Sequence, residues 1–214
     1  MPGHMRIVIT AGPTREHLDP VRFLSNPSTG KMGFALAEAA ARRGHAVTLV
    51  AGPVALRTPK GVRRIDVVSA RDMLAAVRSV RADALIATAA VADWRPARCA
   101  ARKLKKGEMS GVLKLVRNPD ILKSVKGLLK VGFAAETNDV LREAARKCRE
   151  KGLAFIVAND VTEKGSGFGT DTNRVTFVFP DGTVRPLPLM SKRQVARHIL
   201  SALEGIRDGR RGKV

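Results

Sequence analysis

Residues 28–51 read STGKMGFALAEAAARRGHAVTLVA, and their two halves follow different periodicities. Phe34, Leu36, Ala37, Ala40 and Ala41 fall toward one side of a helix running from about Ser28 to Arg43, and Gly44 is placed to end it. Ala46 to Ala51 then returns as an apolar run. Upstream, Met5 to Thr10 (MRIVIT) is a similar run, followed by the turn-rich Ala11-Gly12-Pro13-Thr14. Strand, helix, strand at this spacing predicts a βαβ unit with parallel strands and a right-handed crossover.

The alternation continues outward from that unit. A run Arg64 to Val68, a helix Ala70 to Val80 and an apolar run Ala84 to Ala90 follow. Beyond a basic stretch reaching Gly111 come a short strand Val112 to Val116, a helix beginning near Asn118-Pro119-Asp120, and a strand Lys130 to Ala134. A helix Asn138 to Lys151 and a strand Ala154 to Ala158 complete the series. This order predicts an α/β fold with a doubly wound, Rossmann-like, mostly parallel sheet and helices on both faces. After Asn159 the pattern changes. Gly165-Ser166-Gly167-Phe168-Gly169 reads as a mobile loop. Arg174 to Phe179 and Thr183 to Leu187, joined by Pro180-Asp181-Gly182, read as a C-terminal antiparallel hairpin. A last helix spans about Ser191 to Ile206, with Ser191 as N-cap.

The chain has 214 residues, a size for one domain over 1–214, with mobile segments near 97–111 and 163–173 and a frayed basic tail at 207–214. Hydrophobic residues at 44% and charged residues at 27% exclude a disordered or low-complexity protein. No apolar run is long enough for a membrane span, and the start, MPGHMRIVIT, lacks a secretory pattern, so a cytoplasmic location is expected. Cys99 and Cys148 lie far apart, outside any zinc or disulfide spacing. His4, His17, His45 and His198 are scattered and read as surface or capping residues. The net charge of +20 should attract polyanions. Basic residues are dispersed and aromatics make up only 4%, so a dedicated nucleic-acid surface is not expected.

In such sheets ligands bind beyond the carboxyl ends of the strands, which directs attention to the segments that follow them. Ser25 to Gly33 is a Ser, Thr and Gly loop opening into a helix, where free N–H groups and the helix dipole make a phosphate seat. It is neither a Walker A loop nor GxGxxG, and Ser28 capping a packed helix explains much of it equally well. Thr88 to Pro96 places small residues before Asp93, a carboxylate suited to a magnesium ion or a substrate hydroxyl, or to an ordinary turn. Lys103-Leu104-Lys105-Lys106 is either solvated charge or a group that swings over a triphosphate. Asn118 to Leu122, Val131 to Thr137 and Ala158 to Val161 lie at strand–helix boundaries, and Phe133 can stack on a base or fill core. No catalytic triad or paired-carboxylate spacing is visible, which favours chemistry without a protein nucleophile.

These segments, in order over nearly the whole chain, closely resemble the phosphopantothenoylcysteine synthetase (phosphopantothenate–cysteine ligase) family of coenzyme A biosynthesis. The resemblance rests on Ile9 to Thr14, Asp19 to Asn26, Ser28 to Gly33, Ala89 to Asp93, Lys103 to Lys106, Asn118 to Ile121, Gly132 to Thr137 and Ala158 to Val161. It implies activation of the phosphopantothenate carboxylate by a nucleoside triphosphate with magnesium, release of pyrophosphate, and attack on the acyl-nucleotide by the cysteine amine. By position it makes Asn26 and Lys103 catalytic, Asn26 holding the carboxyl region and Lys103 serving activation. Ala89, Ala90 and Asp93 would contact substrate, and Arg22 would reach the substrate phosphate across a homodimer. Ser28, Gly30, Lys31, Asp93, Lys103, Asn118, Pro119, Asp120, Ile121, Phe133, Lys147 and Lys151 would bind the nucleotide. The Asn118 block and the Lys147, Lys151 pair resemble the bacterial form, which implies CTP, with ATP as the alternative. The related flavin-dependent decarboxylase domain, and hence flavin, is not expected. The metal ligands are not specified. Rival expectations are a nicotinamide-dependent reductase, which the missing GxGxxG disfavours, and a basic nucleic-acid-binding module.

Overall fold

The computed structural model describes residues 3–108, 111–136, 140–160, 163 and 165–209. In chain order the elements are β1 (Arg6–Ala11), β2 (Arg15–His17), β3 (Phe23–Ser25), α1 (Lys31–Arg42), β4 (Ala46–Ala51), β5 (Val62–Asp66), α2 (Ala70–Ser79), β6 (Ala84–Ala87) and β7 (Trp94–Pro96). There follow β8 (Leu115–Arg117), α3 (Ile121–Ser124), β9 (Leu129–Glu136), α4 (Val140–Glu150), β10 (Phe155–Asp160), β11 (Thr172–Asn173), β12 (Thr176–Val178), β13 (Val184–Pro186), β14 (Met190–Ser191) and α5 (Lys192–Arg207).

The main sheet has the order β13-β12-β10-β9-β6-β1-β4-β5. From β10 to β5 every pairing is parallel, while β12 and β13 add the expected antiparallel hairpin at the β10 edge. The chain therefore winds outward from β1 through β4 to β5, then returns beside β1 at β6 and winds the other way. That reversal between β1 and β6 opens a crevice beyond the strand ends.

Both faces of the sheet are buried, as a parallel sheet requires. Ile7 and Ile9 of β1 pack with Phe34, Leu36 and Ala40 of α1 and with Ile199 and Leu203 of α5. Val8, pointing the other way as strand alternation dictates, packs with Met73 and Val77 of α2. Toward β10, Ala144 and Cys148 of α4 cover Ile156 and Ala158. Gly33 makes the seat of α1 possible: a Cβ there would stand 2.5 Å from Ala11 Cβ and 2.6 Å from Thr88 Oγ1. Ser191 caps α5 as expected, its side chain accepting from Gln194 N–H in a reciprocal capping box.

Several expectations are corrected. Helix α1 starts at Lys31, because Gly30 adopts φ 77° at the N-cap and no side chain caps the helix; Ser28 is outside it. Residues 112–114 are not strand; β8 begins at Leu115 and pairs antiparallel with β7, so the basic stretch is the excursion of a small ribbon. Strand Arg64 to Val68 is shifted to Val62–Asp66, and β6 ends at Ala87, with residues 88–90 still following β1 through an isolated parallel bridge at Ala90. The helix expected after Asn118 is the single turn α3, N-capped by Asp120. Asn138 and Thr137 lie outside the described residues. His45 is buried rather than superficial: it accepts from Met5 N–H at Nδ1 and faces Glu204 at 2.9 Å through Nε2, tying α5 to the loop before β4.

Candidate functional site

A cleft of about 680 Å³ lies over the β1–β6 reversal. Its floor is built by backbone that continues past the sheet. Ala90 N–H donates to Gly12 O at 2.9 Å, and Thr14 N–H donates to Ala90 O at 3.2 Å, extending the parallel β1–β6 pairing by one bridge. Short polar side chains pin the rest of the segment. Ala89 N–H donates to Thr10 Oγ1 at 3.2 Å, Ala92 N–H to Thr14 Oγ1 at 3.0 Å, and Asn26 Nδ2 to Ala90 O at 3.0 Å. From the far side Asn118 Nδ2 donates to Ala92 O at 2.8 Å, and Asn118 N–H to Asp93 O at 2.8 Å. Residues 88–93 are thus held open by strand ends and amides, with small side chains facing the cavity.

The N-terminus of α1 forms one wall, with Ser28, Gly30 and Lys31 lining the cleft. Its first turn has no carboxylate and no side-chain cap, so its leading N–H groups are available to an anion. Asn26, Ala89, Ala90 and Asp93 line the centre. Asn118, Pro119, Asp120 and Ile121 form the opposite wall, with Phe133 from β9 and Lys147 and Lys151 from α4 and its end. Asp120 accepts from Lys123 N–H at 3.0 Å and pairs with Lys151 Nζ at 2.9 Å. Burial opposes its ionisation, but these bonds hold its carboxyl below the usual range.

Two expected residues are not in this cleft. Lys103 is exposed on the β7–β8 excursion. Arg22 is bound to Asp19, by Nε at 3.0 Å, and donates to Leu104 O at 2.9 Å. The same Asp19 carboxylate accepts from Leu104 N–H at 3.2 Å, so the Arg22–Asp19 pair fastens the backbone beside Lys103 to the β2–β3 ribbon.

Other cleft residues escape a sequence reading. Lys192, the first residue of α5, is 7% exposed and donates from Nζ to Gly167 O at 3.0 Å and Thr170 O at 2.6 Å. Burial, with Lys31 nearby, lowers its pKa. Lys31 donates to Gly169 O at 2.9 Å and pairs with Asp171 at 2.7 Å. These two lysines hydrogen-bond the glycine-rich loop and the residues after it, and Ser166 donates to Asn159 Oδ1 at 2.7 Å. No spacing marks Lys192, since its partners are loop carbonyls. Arg117 also lines the cleft, its signal being adjacency to the Asn118 block, and Asn159 lines it from within the Ala158 to Val161 block read in the sequence.

Among the described residues no group of three or more His, Cys, Asp or Glu gathers as a metal site. Asp93 and Asp120 are the carboxylates lining the cleft among those residues. One or two carboxylates suffice for a magnesium ion that keeps its waters and arrives on phosphates. No helix of the described residues is long and apolar enough to cross a membrane.

Residues 3–206 match the family model described as the DNA/pantothenate metabolism flavoprotein C-terminal domain. The chain is 51% identical over 207 residues to the coenzyme A biosynthesis bifunctional protein CoaBC of Bacillus subtilis, covering 94% of this chain and 51% of that protein. Identity to the Escherichia coli protein of the same name is 48% over 210 residues, covering 94% and 52%. The chain thus spans about half the length of the curated relatives it matches. Among solved structures, the C-terminal domain of a CoaBC superposes with a TM-score of 0.81 at 45% identity, covering 95% of this chain and 96% of that one. A Cab2 mutant in complex with phosphopantothenate-cysteine shares the fold, with a TM-score of 0.77 at 15% identity, covering 95% and 88%.

Proposed function

Because the chain belongs to the family of the DNA/pantothenate metabolism flavoprotein C-terminal domain, we propose that it is a phosphopantothenate–cysteine ligase of coenzyme A biosynthesis. The observation that carries this reading is the cleft at the strand reversal, where the α1 N-terminus, residues 88–93, the Asn118 block and the α4 lysines face one another. In the reaction, a phosphopantothenate carboxylate oxygen attacks the α-phosphorus of CTP and pyrophosphate leaves. The cysteine amine then attacks the acyl carbon, and CMP departs with the bridging oxygen.

Such chemistry needs positioning and charge stabilisation rather than a protein nucleophile. The uncapped N–H groups in the first turn of α1, from Lys31 onward, suit a phosphate chain. Asn118 to Ile121 with Phe133 suits the base, and Lys147 and Lys151 add cationic contacts. Asn26 gives one amide N–H to Ala90 O, which leaves its second N–H to hold the acyl oxygen and its carbonyl oxygen to accept from the cysteine amine. Lys103 offsets charge at the α-phosphate once its excursion meets a bound nucleotide. A magnesium ion carried on the triphosphate would share that load, with Asp93 the more available carboxylate because Asp120 is already paired with Lys151. In this reading the enzyme is a cytoplasmic homodimer, Arg22 serves the partner's substrate phosphate, no flavin takes part, and CTP is preferred to ATP.

The test is to incubate the purified protein with phosphopantothenate, cysteine, magnesium and either CTP or ATP, following products by mass spectrometry. Phosphopantothenoylcysteine and CMP are expected with CTP. Lys103→Ala should abolish nucleotide-dependent activation, and Asn26→Ala should let the acyl-nucleotide form without normal consumption. Undiminished turnover by both variants would remove these assignments, and no product with either nucleotide from folded protein would remove the activity.

A further inference from the structure

Behind the Asn118 wall lies a second concavity of about 510 Å³. One side is a single face of α2: Arg71, Leu74, Ala75 and Arg78, spaced as one stripe of a helix. The other side is the β7–β8 ribbon, which contributes Arg95 and Arg117. Among the described residues no carboxylate lines it. Asp72, the acid on the same helix, is turned to Ser69 N–H as half of a capping box.

Among the described residues none of these arginines forms an ion pair, although ion pairs are common elsewhere on the surface, as at Glu143, Arg146 and Glu150. Three of the four are held in place by uncharged groups. Arg95 donates to Arg117 O and to Asn118 Oδ1, the latter at 3.1 Å. Arg78 donates to Ser124 O at 3.3 Å, and the Arg117 guanidinium lies 5.2 Å from the centre of the Trp94 ring. Guanidinium groups gathered without a counter-charge repel one another, and a multivalent anion relieves that repulsion. Arg71 and Arg78 stand seven residues apart on α2, about 10 Å along the axis. That is the spacing of the backbone attachment points; with Arg95 and Arg117 opposite, four guanidinium groups line the groove, more positive charge than one phosphate neutralises and suited to a short chain of linked phosphates. Arg117, Asn118 and Pro119 line both this groove and the main cleft, so the two spaces share a wall.

We propose that the groove between α2 and the β7–β8 ribbon is a second anion site, distinct from the main cleft, that binds an oligophosphate chain. The chain is either free inorganic polyphosphate or the phosphate tail of a nucleotide. Its direct probe is sodium tripolyphosphate, titrated calorimetrically into the 214-residue chain and into an R71A/R78A variant. Both positions are exposed on α2, and the fold is checked by circular dichroism. The unsubstituted protein should show two classes of site, and R71A/R78A should weaken one of them at least about tenfold. R193A/R197A, which removes equal charge from α5 on the opposite face of the sheet, should leave both classes intact. Orthophosphate should bind the groove at least about tenfold more weakly than tripolyphosphate. Adding CTP separates the sources: displacement from the groove identifies a nucleotide tail, and persistence identifies the inorganic chain. A single class in the unsubstituted protein, an unchanged isotherm for R71A/R78A, or an equal loss in R193A/R197A overturns the proposal. Tighter, α2-dependent binding of a single-stranded oligonucleotide than of tripolyphosphate also overturns it, in favour of nucleic acid.

Discussion

Asp19 shows how much one side chain organises. It has no exposed side-chain surface and accepts from Val21 N–H, Arg22 N–H, Leu104 N–H and the Arg22 guanidinium. The bond from Arg22 is the largest influence holding its carboxyl well below the usual carboxylate range, against the opposing effect of burial. A depressed carboxylate adds stability above its unfolded value near about 4 and loses it as pH falls toward the folded value. Asp19→Asn should therefore be less stable than the parent protein at pH 7, with the difference shrinking at pH 3. Urea denaturation at both pH values measures this, and a difference that stays constant would contradict it. Asp83, held at about 2 chiefly by its bond from Arg6, titrates in both proteins and cancels in the comparison. The Asp19 to Asn26 segment is visible in the sequence, but its bond to Leu104 is not. That contact joins residues eighty-five positions apart, and no local spacing encodes it.

Among elements, α1 and α5 are legible because they are long and periodic, whereas the β2–β3 and β7–β8 ribbons are not. Their strands have three residues each, too few for alternation to register, and they are stabilised by one another and by loop contacts. The glycine-rich stretch reads as a loop, but its anchoring by Lys31 and Lys192 depends on two helix N-termini brought together by the sheet. The seat of α1 on the sheet makes the sharpest element-level prediction. A Cβ at position 33 meets Ala11 Cβ at 2.5 Å and Thr88 Oγ1 at 2.6 Å, so Gly33→Ala must lift the helix or displace Thr88. A cost of about 1–3 kcal/mol is expected, since overpacking forces backbone to move. Because Thr88 also lines the cleft, ligand affinity should fall with stability. Unfolding free energy unchanged from the parent would show that the packing has more slack than these distances allow.

For the whole molecule, the doubly wound parallel sheet is legible in the alternation of periodicities, while the strand order that reverses at β1 and β6, and places the cleft, comes from the structure. Residues 88–93, Phe133 and Asn159 meet because they lie at or beyond the ends of parallel strands of the main sheet, whereas Asn26 and Asn118 are brought to the same place from the ends of β3 and β8 in the two ribbons. Lys103 and Arg22 stand apart from that gathering because they lie in the connections within the ribbons, joined to each other through Asp19 and Leu104 rather than to the cleft. The excess of basic residues is explained in part by two anion-facing surfaces: the cleft with its lysines, and the arginine groove beside it. The central claim is that the cleft joins acid to amine through an acyl-nucleotide. It is tested most directly with phosphopantothenate carrying oxygen-18 in its carboxylate, together with CTP, cysteine and magnesium. One labelled oxygen is expected in the CMP released, delivered when the amine displaces the nucleotide from the acyl carbon. Label appearing in inorganic phosphate beside unlabelled CDP would mean an acyl-phosphate route and would contradict it.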